Sequence, residues 1–208
     1  MYLRWLYYFN RLNFALLKLR LSGRVEFCEG CDISARDLRY RGSGKIRFGK
    51  DTVLERSVFP AVFDAEAGSE IIFGERVWLR GKYCANVFTA FAGARIEIGD
   101  DCGFNGAVLA AKNRVMIGKK TLLSWGVSIM DSDLHDLSNS RKARISTVEI
   151  GDYCLIGVHA TIMPGVKIGS HCIIGANSVV TKDVPDNSIA AGAPARVIGR
   201  LDDRDRAS

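Results

Sequence analysis

Long apolar runs are missing from this chain. None of the apolar stretches in its 208 residues reaches the length that a membrane-crossing helix needs. The first residues also lack an apolar core followed by a small-residue cleavage site, so a cytoplasmic setting is the expectation. Histidine is scarce: only His135, His159 and His171 occur. The six cysteines do not form the spacing of a disulfide scaffold. Cys28 and Cys31 stand three apart, but no second pair completes a zinc site, and no metal is expected. Most of the chain also lacks an excess of either charge. Residues 1–47 hold 10 Lys/Arg and 4 Asp/Glu, and the rest holds 19 of each (29 − 10 and 23 − 4). The net charge of +6 therefore belongs to the first quarter, which argues against a nucleic-acid-binding face on the remainder.

What is present is a repeat of six. From Ile150 to Pro185 every sixth residue is Ile or Val: Ile150, Ile156, Ile162, Ile168, Ile174 and Val180. The fifth position is Cys154, Ala160, Val166, Cys172, Ser178 or Val184, always of small or modest size. The second position is Gly in four of the six hexads. Positions five and one are two apart, so their side chains share one face of a strand. Positions two to four then make a corner, where Gly tolerates angles that other residues resist. Three hexads carry the chain round a triangle and return it above its start. This is the pattern of a parallel β-helix, and the fold class is all-β with one α-helix in front. Cys102, Cys154 and Cys172 all fall on position five, which makes them small buried thiols in a reducing compartment.

A looser motif extends the repeat towards the N-terminus. An apolar residue, any residue, then Phe or Ile recurs as Val25–Phe27, Ile46–Phe48, Ile71–Phe73, Ile96–Ile98, Val115–Ile117, Val148–Ile150 and Val166–Ile168. That makes seven coils with loops let into some corners. The largest excess lies between Ile129 and Val148, because Ile117 to Ile150 is 33 residues, 15 more than three hexads. Residues 23–190 are read as the β-helix, 191–208 as a tail and 1–22 as a separate N-terminal helix. Residues 2–21 contain no Gly or Pro, carry Arg4, Arg11 and Lys18 on one stripe, and crowd Tyr2, Trp5, Tyr7, Tyr8 and Phe9 into the first turns. Two placements suit such a helix: the interface of a membrane, or packing on the β-helix or a partner subunit.

The hexads run into Gly175-Ala-Asn-Ser-Val-Val-Thr-Lys-Asp-Val-Pro-Asp-Asn-Ser-Ile-Ala-Ala-Gly-Ala-Pro-Ala-Arg-Val-Ile-Gly199. This combination resembles the C-terminal end of the hexapeptide-repeat acyltransferases, among them galactoside and maltose acetyltransferases and sugar O-acetyltransferases of polysaccharide assembly. The resemblance spans roughly residues 95–200 and leaves out the N-terminal helix. It implies a left-handed β-helix, a homotrimer, and acetyl-CoA bound between neighbouring subunits. It also implies an acceptor sugar, small or lipid-linked, and places such an enzyme in the cytoplasm or at the inner face of the membrane.

Residue by residue, the resemblance places the catalytic base at His135, on the 15-residue excess. A loop His is by itself unremarkable, but a sugar hydroxyl needs a base whose pKa lies near neutrality. The oxyanion formed on attack needs a donor, which the resemblance puts at the backbone N–H of Gly157 or Val158. Asp131 and Asp133 are expected to orient His135 or meet the acceptor, and Asn105 to contact the acceptor. Asn113 falls near an acceptor-binding position. Leu155 stands where the family often has Trp, and Trp125 is a candidate substitute. Ala176, Thr181, Lys182 and Arg196 match positions that contact coenzyme A, the two cations suiting its phosphates. Arg141, Lys142 and Arg144 give the His loop a basic character that suits an acidic or phosphate-bearing acceptor. Outward positions such as Leu122 and Leu155 leave apolar flats that a trimer would cover.

Two other functions use this architecture. A γ-type carbonic anhydrase needs three His ligands around an open zinc, two of them five residues apart. The residue five after His159 is Pro164, so that reading fails. A non-catalytic β-helix, serving as a scaffold or binding module, would need neither a His loop nor coenzyme A.

Overall fold

The structure, a computed structural model, describes residues 14–34, 36–133, 135 and 143–201. The seven Phe/Ile motifs become the seven strands of one flat parallel sheet, the first face of a triangular prism. These strands are Val25–Phe27, Lys45–Phe48, Glu70–Phe73, Arg95–Ile98, Arg114–Ile117, Val148–Ile150 and Lys167–Ile168. Their registers stack like on like, Val25 on Ile46, Ile96 on Ile71 and Val115 on Val148. The second face runs from Val53–Leu54 through Trp78–Leu79, Gly103–Phe104, Leu122–Leu123 and Leu155–Ile156 to Ile173–Ile174. The third runs from Leu38–Gly42 through Ala61–Ala65, Val87–Ala90, Val108–Ala111, Ser128–Met130 and Thr161–Ile162 to Val179–Val180. The chain visits the faces in the same order on every coil. The solenoid is a left-handed parallel β-helix, as expected from the hexads and the resemblance.

Period-two alternation fills the prism from all three faces. Phe48, Phe63, Phe73 and Phe88 pack the early coils, with ring centroids 5.1–6.0 Å apart. The later coils are filled by aliphatics such as Ile129, Ile150, Ile156, Ile162 and Ile174, all buried. Truncating one such Phe to Ala costs about 3–5 kcal/mol. Position five carries a column of small polar groups that tie coil to coil. Cys102 donates to the Gly118 carbonyl (3.0 Å), Thr121 to Gly151 (3.0 Å), Cys154 to Gly169 (3.1 Å) and Cys172 to Pro185 (3.1 Å). A Cβ on Gly118 would lie 2.6 Å from the Gly151 carbonyl carbon, so this corner position requires Gly.

The early coils are longer because their second-to-third corners are thicker and their strands on the third and first faces are longer. Phe73 to Ile98 is 25 residues, seven more than three hexads: the corner 80–86 has three residues more than the corner 157–160, and Val87–Ala90 and Arg95–Ile98 are each two residues longer than Thr161–Ile162 and Lys167–Ile168. The chain closes with an antiparallel hairpin, Ser188–Gly192 with Ala195–Arg200, laid against Ile173–Ile174.

The outer faces differ in chemistry. The first is polar, with Arg95 reaching Glu70 (3.1 Å), Arg114 reaching Glu97 (2.7 Å) and Lys167 reaching Glu149 (3.2 Å). The second is apolar: Trp78, Leu122 and Leu155 are exposed in one column. At the N-terminal end the helix over 14–20 packs on the prism through Phe14, Leu17 and Leu21, and Phe14 meets Phe27 edge-on at 5.2 Å. Leu16 and Leu19 point away, 55% and 76% exposed. The described part of the 2–21 segment thus lies on the β-helix, and residues 1–13 fall outside the described residues. Among the described residues no helix is long and apolar enough to cross a membrane.

Candidate active site

The thick corner at residues 80–86 is held in place by Asn86. Its amide donates to the Arg80 carbonyl (2.9 Å), and its oxygen accepts from the backbone N–H groups of Gly106 (2.9 Å) and Ala107 (3.0 Å). Asn86 is 2% exposed, so this is an internal clamp between two coils. The clamp sets Tyr83 against Trp125, two coils further along the prism, edge to face at 4.7 Å. The result is a cleft of about 270 Å³ lined by Arg80, Lys82, Tyr83, Asn105, Trp125 and Val158. Lys82 lies over the Tyr83 ring at 5.2 Å. Arg80 lies over Trp78 at 4.5 Å and pairs with Glu55 at 2.6 Å. An aromatic wall, an amide and cations on the rim can hold a polar ring through its flat face and its hydroxyls.

Asn105, Trp125 and Val158 were legible as candidates in the sequence, and they share this cleft. Arg80, Lys82, Tyr83 and Asn86 were not singled out. Their signal was the seven-residue excess between Phe73 and Ile98.

Gly157 and Val158 differ in what their backbones still offer. The Gly157 N–H donates to the Ile174 carbonyl at 2.8 Å, which rules Gly157 out as the oxyanion donor that sequence reasoning allowed. His159 N–H reaches the Trp125 carbonyl (2.8 Å), and Ala160 N–H closes the turn on the Gly157 carbonyl (3.1 Å). That leaves the Val158 N–H as the uncommitted donor of this corner among the described residues. One coil on, Gly175 N–H and Asn177 N–H are likewise spent, and the Ala176 N–H is not. Val158 and Ala176 therefore form a short column of free donors along the second-to-third edge.

The His135 loop leaves from a different edge, after the third face. Its stem is an antiparallel clasp. Asp133 N–H donates to the Arg144 carbonyl (3.0 Å), Arg144 N–H to the Asp133 carboxylate (3.0 Å) and Ser146 N–H to the Asp131 carbonyl (2.8 Å). His135 is exposed, its own N–H on the Asp133 carbonyl at 2.7 Å. Asp131 has a role other than the expected one. It is fully buried, and its carboxylate accepts the backbone N–H groups of Lys112 (2.8 Å), Asn113 (2.7 Å) and Arg114 (2.7 Å). It anchors the loop stem to the previous coil and has no face left for an acceptor. Asn113 belongs to the same anchor, its amide on the Thr147 hydroxyl at 3.0 Å, away from the Asn105 cleft. Arg141 and Lys142 lie outside the described residues.

Thr181 and Lys182 share the third-to-first edge with His135, both exposed. Arg196 is exposed on the terminal hairpin, opposite Ala191. Within one chain the site residues thus form two groups on the two borders of the third face. That face is about four residues wide, so the borders stand on the order of 13 Å apart. The remaining histidines have local duties: His171 stacks on Tyr153 at 4.8 Å, and the His159 ring lies against Gly126. Cys102 and Cys154 are poor nucleophiles, and Cys172, whose thiol pKa the hydrogen bond with Cys154 lowers to about 7, is sealed in the core with no exposure. Burial pushes the Cys102 thiol up to about 11, and the hydrogen bond shared with Cys172, together with burial, holds Cys154 protonated.

Residues 147–182 match the family model described as bacterial transferase hexapeptide (six repeats). The chain is 35% identical over 138 residues to galactoside O-acetyltransferase of Escherichia coli, covering 64% of this chain and 65% of that one. It is 31% identical over 185 residues to a putative lipopolysaccharide biosynthesis O-acetyl transferase of the same organism, covering 77% and 90%. The chain spans about half to two thirds of the length of several other relatives it matches. Its fold is like that of an N-acyltransferase from Bacillus cereus solved with dTDP and coenzyme A, with a TM-score of 0.59, 17% identity and 91% and 90% of the two chains covered.

Proposed function

The chain belongs to the hexapeptide-repeat acyltransferases, and from that premise we propose that it is an acetyl-CoA-dependent O-acetyltransferase acting on a sugar hydroxyl. The setting is the assembly of a surface polysaccharide, in the cytoplasm, with residues 2–21 bringing the enzyme to the inner face of the membrane. The observation that carries this reading is the cleft in which Tyr83, Trp125 and Asn105 stand beside the free Val158 N–H. A sugar lies against the aromatic pair with its hydroxyls towards Asn105, and the thioester carbonyl lies at Val158. Trp125 takes the place of the Trp that the family often has where Leu155 stands here.

In the reaction, the imidazole of His135 takes the hydroxyl proton as the sugar oxygen attacks the thioester carbon. The new C–O bond leaves a negative oxygen that accepts from Val158 N–H. Collapse breaks the C–S bond, and the imidazolium returns the proton to the departing thiolate of coenzyme A. Ala176, Thr181, Lys182 and Arg196 hold the cosubstrate. His135 and the cleft lie on opposite borders of the third face, so a complete site takes His135 from one copy and the cleft from the next. The apolar second face with Trp78, Leu122 and Leu155 supports a homotrimer that supplies this pairing.

The test is calorimetry with acetyl-CoA, followed by a screen of sugar acceptors for release of free coenzyme A, with UDP-sugars and lipid-linked sugars included. Binding of acetyl-CoA with acceptor-dependent release is the expected result. No heat of binding up to millimolar acetyl-CoA would return the chain to the class of non-catalytic β-helix scaffolds.

A further inference from the structure

At the N-terminal end of the prism a groove of about 360 Å³ runs between the helix over 14–20 and the strand Leu38–Gly42. That strand is the outermost of the third face and pairs on one side only. Arg20 from the helix and Arg39 and Arg41 from the strand line the groove around Tyr40, beside Leu16. Five arginines elsewhere in the fold have carboxylate partners, Arg47 with Glu26, Arg76 with Asp101, Arg80 with Glu55, Arg95 with Glu70 and Arg114 with Glu97, while among the described residues scattered exposed ones such as Arg24, Arg56 and Arg200 do not. Arg20, Arg39 and Arg41 have none among the described residues. Three arginines line this one groove, and Asp64, opposite Arg41 on the adjacent strand, is a single carboxylate against three cations and forms no ion pair with them. A phosphate would pair with them, because the planar fork of a guanidinium matches phosphate oxygens.

We propose that this groove seats the phosphate headgroups of an anionic bilayer, with Leu16 and Leu19 entering the acyl boundary beside it. The two leucines decide the occupant. Exposed apolar side chains next to unpaired cations form the pattern of a surface that lies in a membrane interface. A nucleic acid would leave Leu16 and Leu19 in water. The sequence before residue 14 carries Arg4, Arg11 and five aromatic residues within positions 2–9, a composition that suits the same occupant. The inference gives a site to the membrane placement above and does not depend on acetyl transfer.

The test uses the full chain in sedimentation with vesicles of phosphatidylcholine alone or mixed with phosphatidylglycerol. Binding should require the anionic lipid and weaken as salt rises. Each cation near such a surface is worth a factor of about five, so Arg20→Gln/Arg39→Gln/Arg41→Gln should bind roughly a hundredfold more weakly. The corresponding three Arg→Lys changes should recover most of the loss. Leu16→Ser/Leu19→Ser should weaken binding with the charges intact. These side chains are exposed, so unchanged circular dichroism should show that the variants fold. Equal binding to both vesicle types, or a triple Gln variant that binds like the wild type, would overturn the proposal. Stabilisation by inorganic pyrophosphate without vesicle binding would do the same, by assigning the groove to a soluble phosphate. Displacement from vesicles by an oligonucleotide at equal charge concentration would point to nucleic acid. Acetyl transfer to a soluble sugar, read on the same samples, separates this inference from the catalytic one, because its loss with vesicle binding intact would count only against the latter.

Discussion

Val158→Pro removes one hydrogen from the proposed site and changes little else. Residues 157–160 make a tight turn, with Ala160 N–H on the Gly157 carbonyl at 3.1 Å and His159 at a φ of 56°. A positive φ at the third residue marks a type II turn, whose second position favours Pro. The chain already uses this solution one corner later. Met163 to Val166 closes in the same way at 3.3 Å, with Gly165 at φ 79° and Pro164 in the second place. Since the Val158 N–H is uncommitted, its loss breaks no bond in the fold. Stability should hold, or rise by about 0.4–1 kcal/mol from the stiffer unfolded chain. Catalysis should not hold: loss of one oxyanion donor costs about 10²–10³ in kcat, near 3–4 kcal/mol of transition-state stabilisation. Steady-state release of coenzyme A, with acetyl-CoA affinity measured by calorimetry, reads both quantities. Val158→Ala retains the N–H and should stay within a few-fold of the wild type. If Val158→Pro kept more than about a tenth of the wild-type rate, the donor would lie elsewhere.

Three further outcomes follow from the same geometry. His135→Ala should lower kcat by roughly 10²–10⁴-fold with acetyl-CoA affinity nearly unchanged, while Cys154→Ala keeps its rate and no acetyl-cysteine appears by mass spectrometry without acceptor. Asp131→Asn sets an NH₂ against a backbone N–H in a fully buried anchor, at a cost of about 2–4 kcal/mol; a thermal melt should fall by roughly 4–16 °C and the rate should fall with it, whereas His135→Ala should melt like the wild type. Light scattering should give the mass of three chains, and a stable monomer at micromolar concentration would remove the shared site.

Where the hexads keep phase, the sequence determines the fold almost alone. Ile at position one and a small residue at position five cannot both be buried unless the chain turns every six residues. The seven Phe/Ile motifs were therefore enough to find every strand of the first face, even in the early coils. The thick corners were harder. A seven-residue excess says that a coil is longer, but not how the surplus is divided between its corners and its strands. Tyr83 becomes visible as a site residue only once residues 80–86 are placed opposite Trp125. Asp131 misled for a related reason. Beside a loop His, a carboxylate reads as its orienting partner. But Asp131 leaves a strand just as the previous coil turns at Lys112, where three N–H groups lack acceptors, and buried donors claim the nearest carboxylate before a solvated imidazole does. The count of hexads holds one more piece of information. Asn105 and Val158 each follow a second-face strand, while His135 follows a third-face strand. Residues that stand a whole face apart on a rigid prism do not meet by bending it, so the mechanism proposed for them calls for a second copy of the chain, and the apolar column of Trp78, Leu122 and Leu155 is the surface we propose for that contact.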